Sequence, residues 1–190
     1  MYVYHYIYMK KLYKSSKGFT LIELLIVIAV LGILAAVVLV AINPLEQLAR
    51  GRDSGRLSDV AQLGHAVQAY YTAQSGLLST APAGANFSTG WQNVLVYSQD
   101  IKNTITAPTQ NSNCGGTMAG TAAQGTFCYS ENGTSNFLVW TDAESNQSFT
   151  KAKCTTGQTA VFVYDSTQGK AGVGCIASAT TAPAAGITLY

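Results

Sequence analysis

The chain reads Lys17-Gly18-Phe19-Thr20-Leu21-Ile22-Glu23 at the start of its most apolar segment. The segment continues to Ile42, and from Phe19 onward only Thr20, Glu23 and Gly32 interrupt its apolar side chains. An α-helix rises 1.5 Å per residue, so the segment makes a helix of about 36 Å, longer than the ~30 Å hydrocarbon core of a bilayer. The sequence therefore predicts a single transmembrane helix over Phe19–Ile42.

The residues before this segment are basic and include no acidic residue. They hold four of the eleven Lys and Arg side chains, Lys10, Lys11, Lys14 and Lys17. Positive charge beside a membrane span stays on the cytoplasmic side. We therefore predict a cytoplasmic leader over residues 1–18 and export of the remainder. Either Met1 or Met9 can serve as the start.

The remainder of the chain has a different composition. Only 11 % of the 190 residues are charged, and the formal net charge is +2. After Gly18 there are seven basic and nine acidic residues, so the excess positive charge belongs to the leader. A face that binds nucleic acid needs a basic patch. No such patch is evident, and DNA binding has no support in the sequence.

A second helix is predicted after Asn43-Pro44, because proline interrupts the backbone hydrogen bonds of a helix. Apolar residues then recur at spacings of three and four and predict an amphipathic helix over residues 43–76 that stops at Ser75-Gly76. Its predicted buried stripe is Leu45, Leu48, Leu57, Val60, Ala61, Gly64, Val67 and Tyr71. The charged residues between them are predicted to be solvated on the other face, Arg52, Asp53, Arg56 and Asp59.

The part of the chain from residue 77 to residue 190 is predicted to be a β-rich extracytoplasmic head. Asn132-Gly133 lies between two β-prone runs and is a strong hairpin signal. The strand candidates are Thr126–Ser130, Asn136–Thr141, Thr159–Tyr164 and Gly172–Ile176, while Val94–Tyr97 fits a strand or a helical turn. These elements predict an α+β fold, with the long N-terminal helix packed on a small antiparallel sheet of three or four strands. The tail after Ala177 is predicted to be loose as far as Ile187.

The four cysteines are Cys114, Cys128, Cys154 and Cys175, and none forms a C-x-x-C pair. An even count in a small exported domain indicates two disulfides. Three connectivities are open. We favour Cys114–Cys128 with Cys154–Cys175, because each pair closes a short local loop. Four free buried thiols in a reducing compartment are the alternative.

Glu23 lies inside the apolar helix, and an ionisable residue in a membrane helix usually pairs and usually has a function. Cleavage between Gly18 and Phe19 would create a cationic amine on Phe19. The Glu23 carboxylate of one copy would then neutralise the amine of a neighbouring copy at one axial offset. On this reasoning only assembly gives the carboxylate its partner, and Glu23 sets the register between subunits.

The segment Lys17–Leu25 closely resembles the class III signal of type IV prepilins and type II secretion pseudopilins. The resemblance extends over the helix and its amphipathic continuation, roughly Lys10–Gly76. It implies cleavage after Gly18 by a membrane prepilin peptidase, N-methylation of Phe19, and a role for Glu23 in contacting the incoming N-terminus. It also implies a long helix packed on an antiparallel sheet, and Cys154–Cys175 fits the place of the family's C-terminal disulfide.

This resemblance predicts a structural subunit that self-associates into a helical filament. Its expected partners are the peptidase/methyltransferase, a membrane assembly platform with its motor, and inner-membrane lipid before assembly. It would begin as a single-pass inner-membrane precursor and end in an extracellular or periplasmic filament. The alternatives are a pseudopilin or minor pilin for secretion or DNA uptake, and a membrane-anchored adhesive domain that never polymerises.

Two simpler interpretations of the apolar segment also stand. One is an ordinary secretory signal peptide cut near Leu39-Val40-Ala41, and the other is an uncleaved signal anchor. The segment is longer than a usual signal-peptide core and contains Glu23, which argues against the first. Both predict that an apolar residue at position 23 is harmless.

Catalysis and metal binding have little support, and we predict neither an enzyme nor a cofactor. His65 lies on the amphipathic helix and is predicted to be a surface or partly packed residue. Asp142, Glu144 and Asn146 follow a predicted strand and are candidate ligands of a hard cation such as calcium. They are too few for a calcium loop, so solvated turn acids are the favoured interpretation. Asp165 is interpreted in the same way.

Overall fold

The computed structural model describes residues 18–85, 87, 90–106, 122–124, 127–133, 135–178 and 182–190. The leader residues 1–17 and Cys114 therefore lie outside the described residues. The chain divides into two compact units, Met1–Asn43 and Pro44–Tyr190. Each unit is described by itself.

The first unit contains helix α1, Leu21–Ile42. Thr20 is its N-cap, and none of its 22 residues is buried. The helix confirms the predicted apolar segment but begins two residues after Phe19. It ends at Asn43, whose left-handed backbone (φ 46°) breaks the helical hydrogen bonding before Pro44. The predicted interruption at Asn43-Pro44 is confirmed.

Helix α2, Pro44–Gln74, begins the second unit. It ends at Ser75, which has a positive φ of 54°, as the Ser75-Gly76 signal predicts. Its buried positions follow spacings of three and four and include two charged residues, in the series Ala49, Asp53, Arg56, Val60, Leu63, Val67 and Tyr70. The predicted stripe is therefore only partly right. Leu45 and Leu48 are 76 % and 59 % exposed.

Within the described part of the chain, five strands form one antiparallel sheet in the order β1-β2-β3-β4-β5. They are β1 Ala122–Gln124, β2 Phe127–Asn132, β3 Asn136–Asp142, β4 Thr159–Asp165 and β5 Lys170–Ile176. The β2–β3 hairpin pairs Asn132 with Asn136, and Gly133 takes the positive φ (79°) that its turn requires. The small antiparallel sheet is confirmed, with β1 as a strand that the sequence did not predict.

The face of the sheet toward α2 carries a row of aromatic rings. Trp91 stacks on Tyr129, and the row continues to Phe137 and Tyr164 with ring centroids 5.5–6.2 Å apart. At the Tyr164 end of this row, α2 approaches β4 so closely that a Cβ at Gly64 would lie 2.1 Å from Tyr164 Cγ. Offset aromatic pairs of this kind add stability beyond the area that they bury. This row forms the centre of the main core.

The other face of the sheet has a second, smaller core, Cys128, Leu138, Trp140, Val161, Val163 and Ile176. Ala182, Ile187 and Leu189 pack against it, so Ala182, within the stretch that the sequence predicts to be loose, contacts the head. Two short helices complete the unit, α3 Trp91–Tyr97 and α4 Asn146–Lys151. Val94–Tyr97 is thus helical. Single 3₁₀ turns at Leu78–Thr80 and Ala83–Ala85 lead toward α3.

Candidate processing and assembly site

Gly18 and Phe19 lie just before α1 and are exposed. Phe19 is 89 % exposed. A Cβ added at Gly18 would meet no described atom within 4 Å, so packing within the described subunit does not require glycine there.

Glu23 and Thr20 form a capping box at the start of α1. The Glu23 carboxylate oxygen Oε2 accepts hydrogen bonds from the Thr20 backbone N–H at 2.8 Å and from its hydroxyl at 2.7 Å. The Thr20 hydroxyl in turn accepts one from the Glu23 backbone N–H at 3.3 Å. Such reciprocal bonds satisfy donors that a helix N-terminus otherwise leaves unpaired. Glu23 therefore has a partner within its own chain, and the expectation that only assembly supplies one is wrong.

The surface of α1 is apolar apart from Glu23 in its first turn. By length and composition the helix can cross a membrane. A signal sequence near the N-terminus meets the same criterion, so this observation alone does not separate an anchor from a cleaved signal.

Comparison with protein families gives a match to the prokaryotic N-terminal methylation motif over residues 13–39. The matched region includes Gly18, Phe19, Glu23 and most of α1. It shows that the chain carries a type IV prepilin-like signal, and it supports a pilin-like protein that is processed as a prepilin. Together with α1, the motif fits a membrane-anchored precursor. No curated protein and no solved structure matches the chain.

The match lies at one end of the chain, and proteins with this motif are structural rather than catalytic. It also implies, in general terms, processing by a prepilin peptidase and assembly into a filament. The match does not extend to the head. Evidence on the head comes instead from the described contacts of α2 with the sheet.

The first half of α2 joins the head through a buried ionic cluster. Arg56, 1 % exposed, donates to Asp53 Oδ1 at 3.0 Å and to Glu144 Oε2 at 3.2 Å. Arg52 also donates to Glu144, through Nε at 2.8 Å and through Nη2. The prediction that Arg56 and Asp53 are solvated helix charges is wrong, because the loop after β3 covers them.

Asp53 is the acceptor that ties this loop to α2. It accepts from the backbone N–H groups of Glu144 and Ser145, each at 2.9 Å, and from the Ser148 hydroxyl at 2.8 Å. Burial alone would raise the pKa of Asp53, but these hydrogen bonds, which favour the charged form, outweigh it and lower the pKa. Asp53 is thus a buried charge with its own set of donors.

The three calcium candidates do not come together as ligands. Glu144 is held by two guanidinium groups, and the backbone N–H of Asn146 donates to Glu46 at 3.3 Å. Asp142 is buried, and burial raises its pKa to about 6 although nearby Arg56 acts to lower it. Among the described residues no group of three or more His, Cys, Asp or Glu side chains can hold a metal ion. Arginine supplies the positive charge here, and the acids are not solvated turn residues.

One predicted disulfide is present, between Cys154 after α4 and Cys175 in β5, with the Cα atoms 5.5 Å apart. Cys128 is also disulfide-bonded. Its pairing with Cys114 stays a prediction, because Cys114 lies outside the described residues. The described cysteines are not free thiols.

His65 is exposed and packs its ring edge-on against Tyr164, with centroids 5.2 Å apart. It therefore lies on the surface as predicted. Asp165 differs from its prediction as a solvated turn acid, because it is fully buried. Its carboxylate accepts bonds from Thr167 and from the backbone of Gly186.

Proposed function

We propose that the chain is the structural subunit of a type IV pilus-like filament. Prepilin peptidase would cut it between Gly18 and Phe19 and methylate the amine of Phe19. The observation that carries this proposal is the match to the N-terminal methylation motif, placed on an apolar helix none of whose residues is buried. That helix needs an apolar environment, which a membrane supplies first and neighbouring helices supply later.

The capping box fits a role for Glu23 in assembly. Both hydrogen bonds from Thr20 end on Oε2, and no described residue donates a hydrogen bond to Oε1. A carboxylate has two oxygens and about four acceptor sites. Glu23 can therefore keep its hydrogen bonds with Thr20 while Oε1 accepts a hydrogen bond from the Phe19 amine of an incoming copy. Assembly would add a partner to a charge that its own chain already holds in position.

Small residues along α1 support close packing of neighbouring helices. Ala29, Gly32, Ala35 and Ala36 lie within the apolar helix, and a Cβ at Gly32 would meet no described atom within 4 Å. Small residues let the backbones of membrane helices approach closely. Helix packing would supply the cohesion of the filament, while the charge of Glu23 sets the offset between subunits.

We also propose the arrangement along the chain. Residues 1–18 are a cleaved cytoplasmic leader, 19–42 the membrane and filament-core helix, 43–76 its amphipathic continuation and 77–190 the exported head. The lysines before Gly18 favour this orientation. A membrane platform and a cytoplasmic motor would extract the processed subunit from the inner membrane into the growing filament.

The assembly role is tested by Glu23→Gln. Glutamine also serves in capping boxes, so this variant keeps the cap and removes the charge. We expect normal cleavage after Gly18 but a loss of shear-released filaments of at least about tenfold, because the amine loses its counter-charge. Glu46→Gln, a first-turn acid of α2, is the matched control and is expected to assemble normally. Normal filaments from Glu23→Gln would refute the role in register.

Recognition by the peptidase is tested separately with Gly18→Leu. We expect uncut precursor on an immunoblot, whereas Ser16→Leu, two residues earlier, is expected to be cut. Normal cleavage of Gly18→Leu would count against a glycine-specific protease. Abundance of the chain in sheared fibres distinguishes a main filament subunit from a pseudopilin or minor pilin.

A further inference from the structure

β5 is the last of the described strands in the sheet, so one of its edges has no neighbouring strand among the residues that the structure describes. Residues 186–190, which we call the strap, lie along this edge. The Tyr190 backbone N–H donates to Val173 O at 3.0 Å, and the Val173 N–H donates to Tyr190 O at 3.3 Å. A reciprocal pair of this kind is the hydrogen-bonded unit of an antiparallel ladder. The strap therefore occupies the place of a further strand at the middle of β5.

Two glycines of β5 form the seat of the strap. A Cβ at Gly174 would lie 2.9 Å from Ile187 Cδ1, and one at Gly172 would lie 2.9 Å from Leu189 Cβ. Neither glycine has a left-handed backbone. Because glycine weakens a strand interior and often marks a close approach of another backbone, these two positions are explained by the space that the strap needs.

Polar groups also hold the strap at both ends. Asp165 accepts from the Gly186 N–H at 2.6 Å, and the side-chain amide of Gln168 donates to Ile187 O at 2.7 Å. At the other end the Lys153 ammonium lies 4.9 Å from the centre of the Tyr190 ring. Asp165 is buried, whereas Tyr190 remains 42 % exposed. The strap is thus held at Gly186 by a buried carboxylate and at Tyr190 by backbone pairing with the side chain partly exposed.

An open strand edge is a template for pairing with another chain, and natural proteins often cover such edges with a loop. We propose that the strap is an intramolecular edge guard, and that it keeps β5 from pairing with β5 of a second copy of this chain. Release of the strap would expose the outward N–H and C=O groups of Val173. Two β5 edges can then meet antiparallel about a two-fold axis. The inference rests on the head alone and stands apart from the proposed function.

A second copy is the partner favoured by the pattern of β5. The strap pairs with the backbone of Val173, so its release opens the centre of β5. Val173 lies at the centre of this edge, and alternate residues along an antiparallel strand direct their backbone groups outward. The same short edge on two copies is self-complementary, as a two-fold interface requires.

Gly174→Thr tests the guard in the full chain, purified in detergent micelles. The added side chain should evict the strap, because its Cβ would lie 3.1 Å from the backbone oxygen of Thr188 as well as 2.9 Å from Ile187 Cδ1. We expect the Val173 and Tyr190 amides to exchange hydrogen at least about tenfold faster in dilute samples, and light scattering to show an added concentration-dependent dimer. Lys170→Thr, on the same strand and outside the strap contacts, is the control and is expected to match wild type. An intact Cys154–Cys175 bond and protected β3 amides verify the fold.

A second variant locates the dimer. Ala171→Pro removes an outward N–H from the β5 edge, where proline is tolerated, and should abolish the dimer of Gly174→Thr. A dimer that survives the proline forms elsewhere and overturns the proposal. Fast exchange without any dimer also overturns it, and so does slow exchange at Val173 in Gly174→Thr. Gln168→Ala, which removes one strap hydrogen bond without new bulk, should give a weaker form of the same release.

Discussion

Arg56→Met is the substitution whose effect on stability follows most directly from the buried cluster. Methionine keeps much of the apolar stem of Arg56 but removes the guanidinium that contacts Asp53 and Glu144. Asp53 and Asp142 would remain buried without this positive charge. Removal of one partner from a buried ion pair costs about 3–5 kcal/mol. That is a large part of the roughly 5–15 kcal/mol by which a domain is stable.

The assay is urea unfolding of the full chain in detergent micelles. Trp91 and Trp140 are the two tryptophans of the chain, and both are buried in the head, so their fluorescence reports its unfolding. Arg50→Met is the matched control, six residues earlier on the same helix. Arg50 pairs with Glu46 at the surface, and exposed pairs of this kind contribute little.

The two variants together decide the matter. We expect a much lower urea midpoint for Arg56→Met and nearly no change for Arg50→Met. A second change, Asp142→Asn, in the Arg56→Met background should recover part of the loss, because burial disfavours the charge of Asp142 and Arg56 acts to offset this. If Arg56→Met loses no more stability than Arg50→Met, the cluster is not the buried ionic joint that we describe.

Three further predictions use the same unfolding assay. Replacing Cys154 and Cys175 by serine should lower the unfolding free energy by about 3 kcal/mol, because the bond closes a loop with a sequence separation of 21; an unchanged midpoint would contradict this. Gly64→Ala should destabilise by about 1–3 kcal/mol through its clash with a β4 ring, whereas Gly55→Ala, which meets nothing within 4 Å, should stabilise by up to about 1 kcal/mol. Burial raises the pKa of Asp142 to about 6, so the folded state binds a proton on Asp142 more tightly than the unfolded state does. The contribution of Asp142 to the free energy of unfolding therefore becomes more favourable as pH falls from 7 to 5. Asp142→Asn should therefore be more stable than wild type at pH 8, by about 2 kcal/mol after allowance for screening by water. The gap should be roughly halved at pH 5 and should close only below the ordinary pKa of 3.8; equal gaps at pH 8 and pH 5 would refute this.

Local sequence patterns predict much of the fold, because the residues that form, end or join these elements act through their own local physical chemistry. The apolar run predicts α1, Asn43-Pro44 its end, and Asn132-Gly133 the β2–β3 hairpin. α4 was missed, although the Ser145 hydroxyl accepts from the Ser148 N–H as a helix cap, and a serine before a short polar segment is a usable signal. β1 was missed because its Ala-Ala-Gln sequence has weak β-propensity.

The buried face of α2 shows what the sequence alone did not reveal. Asp53 and Arg56 occupy core positions by spacing, but charged side chains are almost never fully buried unless they are paired. Their partners lie about 90 residues further along the chain, so no local sequence pattern indicates these contacts. The same holds for the strap, whose contacts with Gly172 and Gly174 depend on how the tail returns to the sheet.

At the processing site the sequence predicted the residues but not their local geometry. Gly18, Phe19 and Glu23 lie within the matched methylation motif. The Thr20–Glu23 capping box was missed, although Thr-x-x-Glu ahead of an apolar run is a recognised helix start. The prediction for Glu23 named a partner in another copy and omitted Thr20, three residues away in the same chain.

The most direct test of the central claim is the mass of the N-terminal peptide from the mature chain, isolated from its native host. We predict a peptide that begins at Phe19 and carries one additional methyl group on its amine. A chain that begins at Ile42, or one that keeps its leader intact, would contradict prepilin processing and with it the proposed filament subunit.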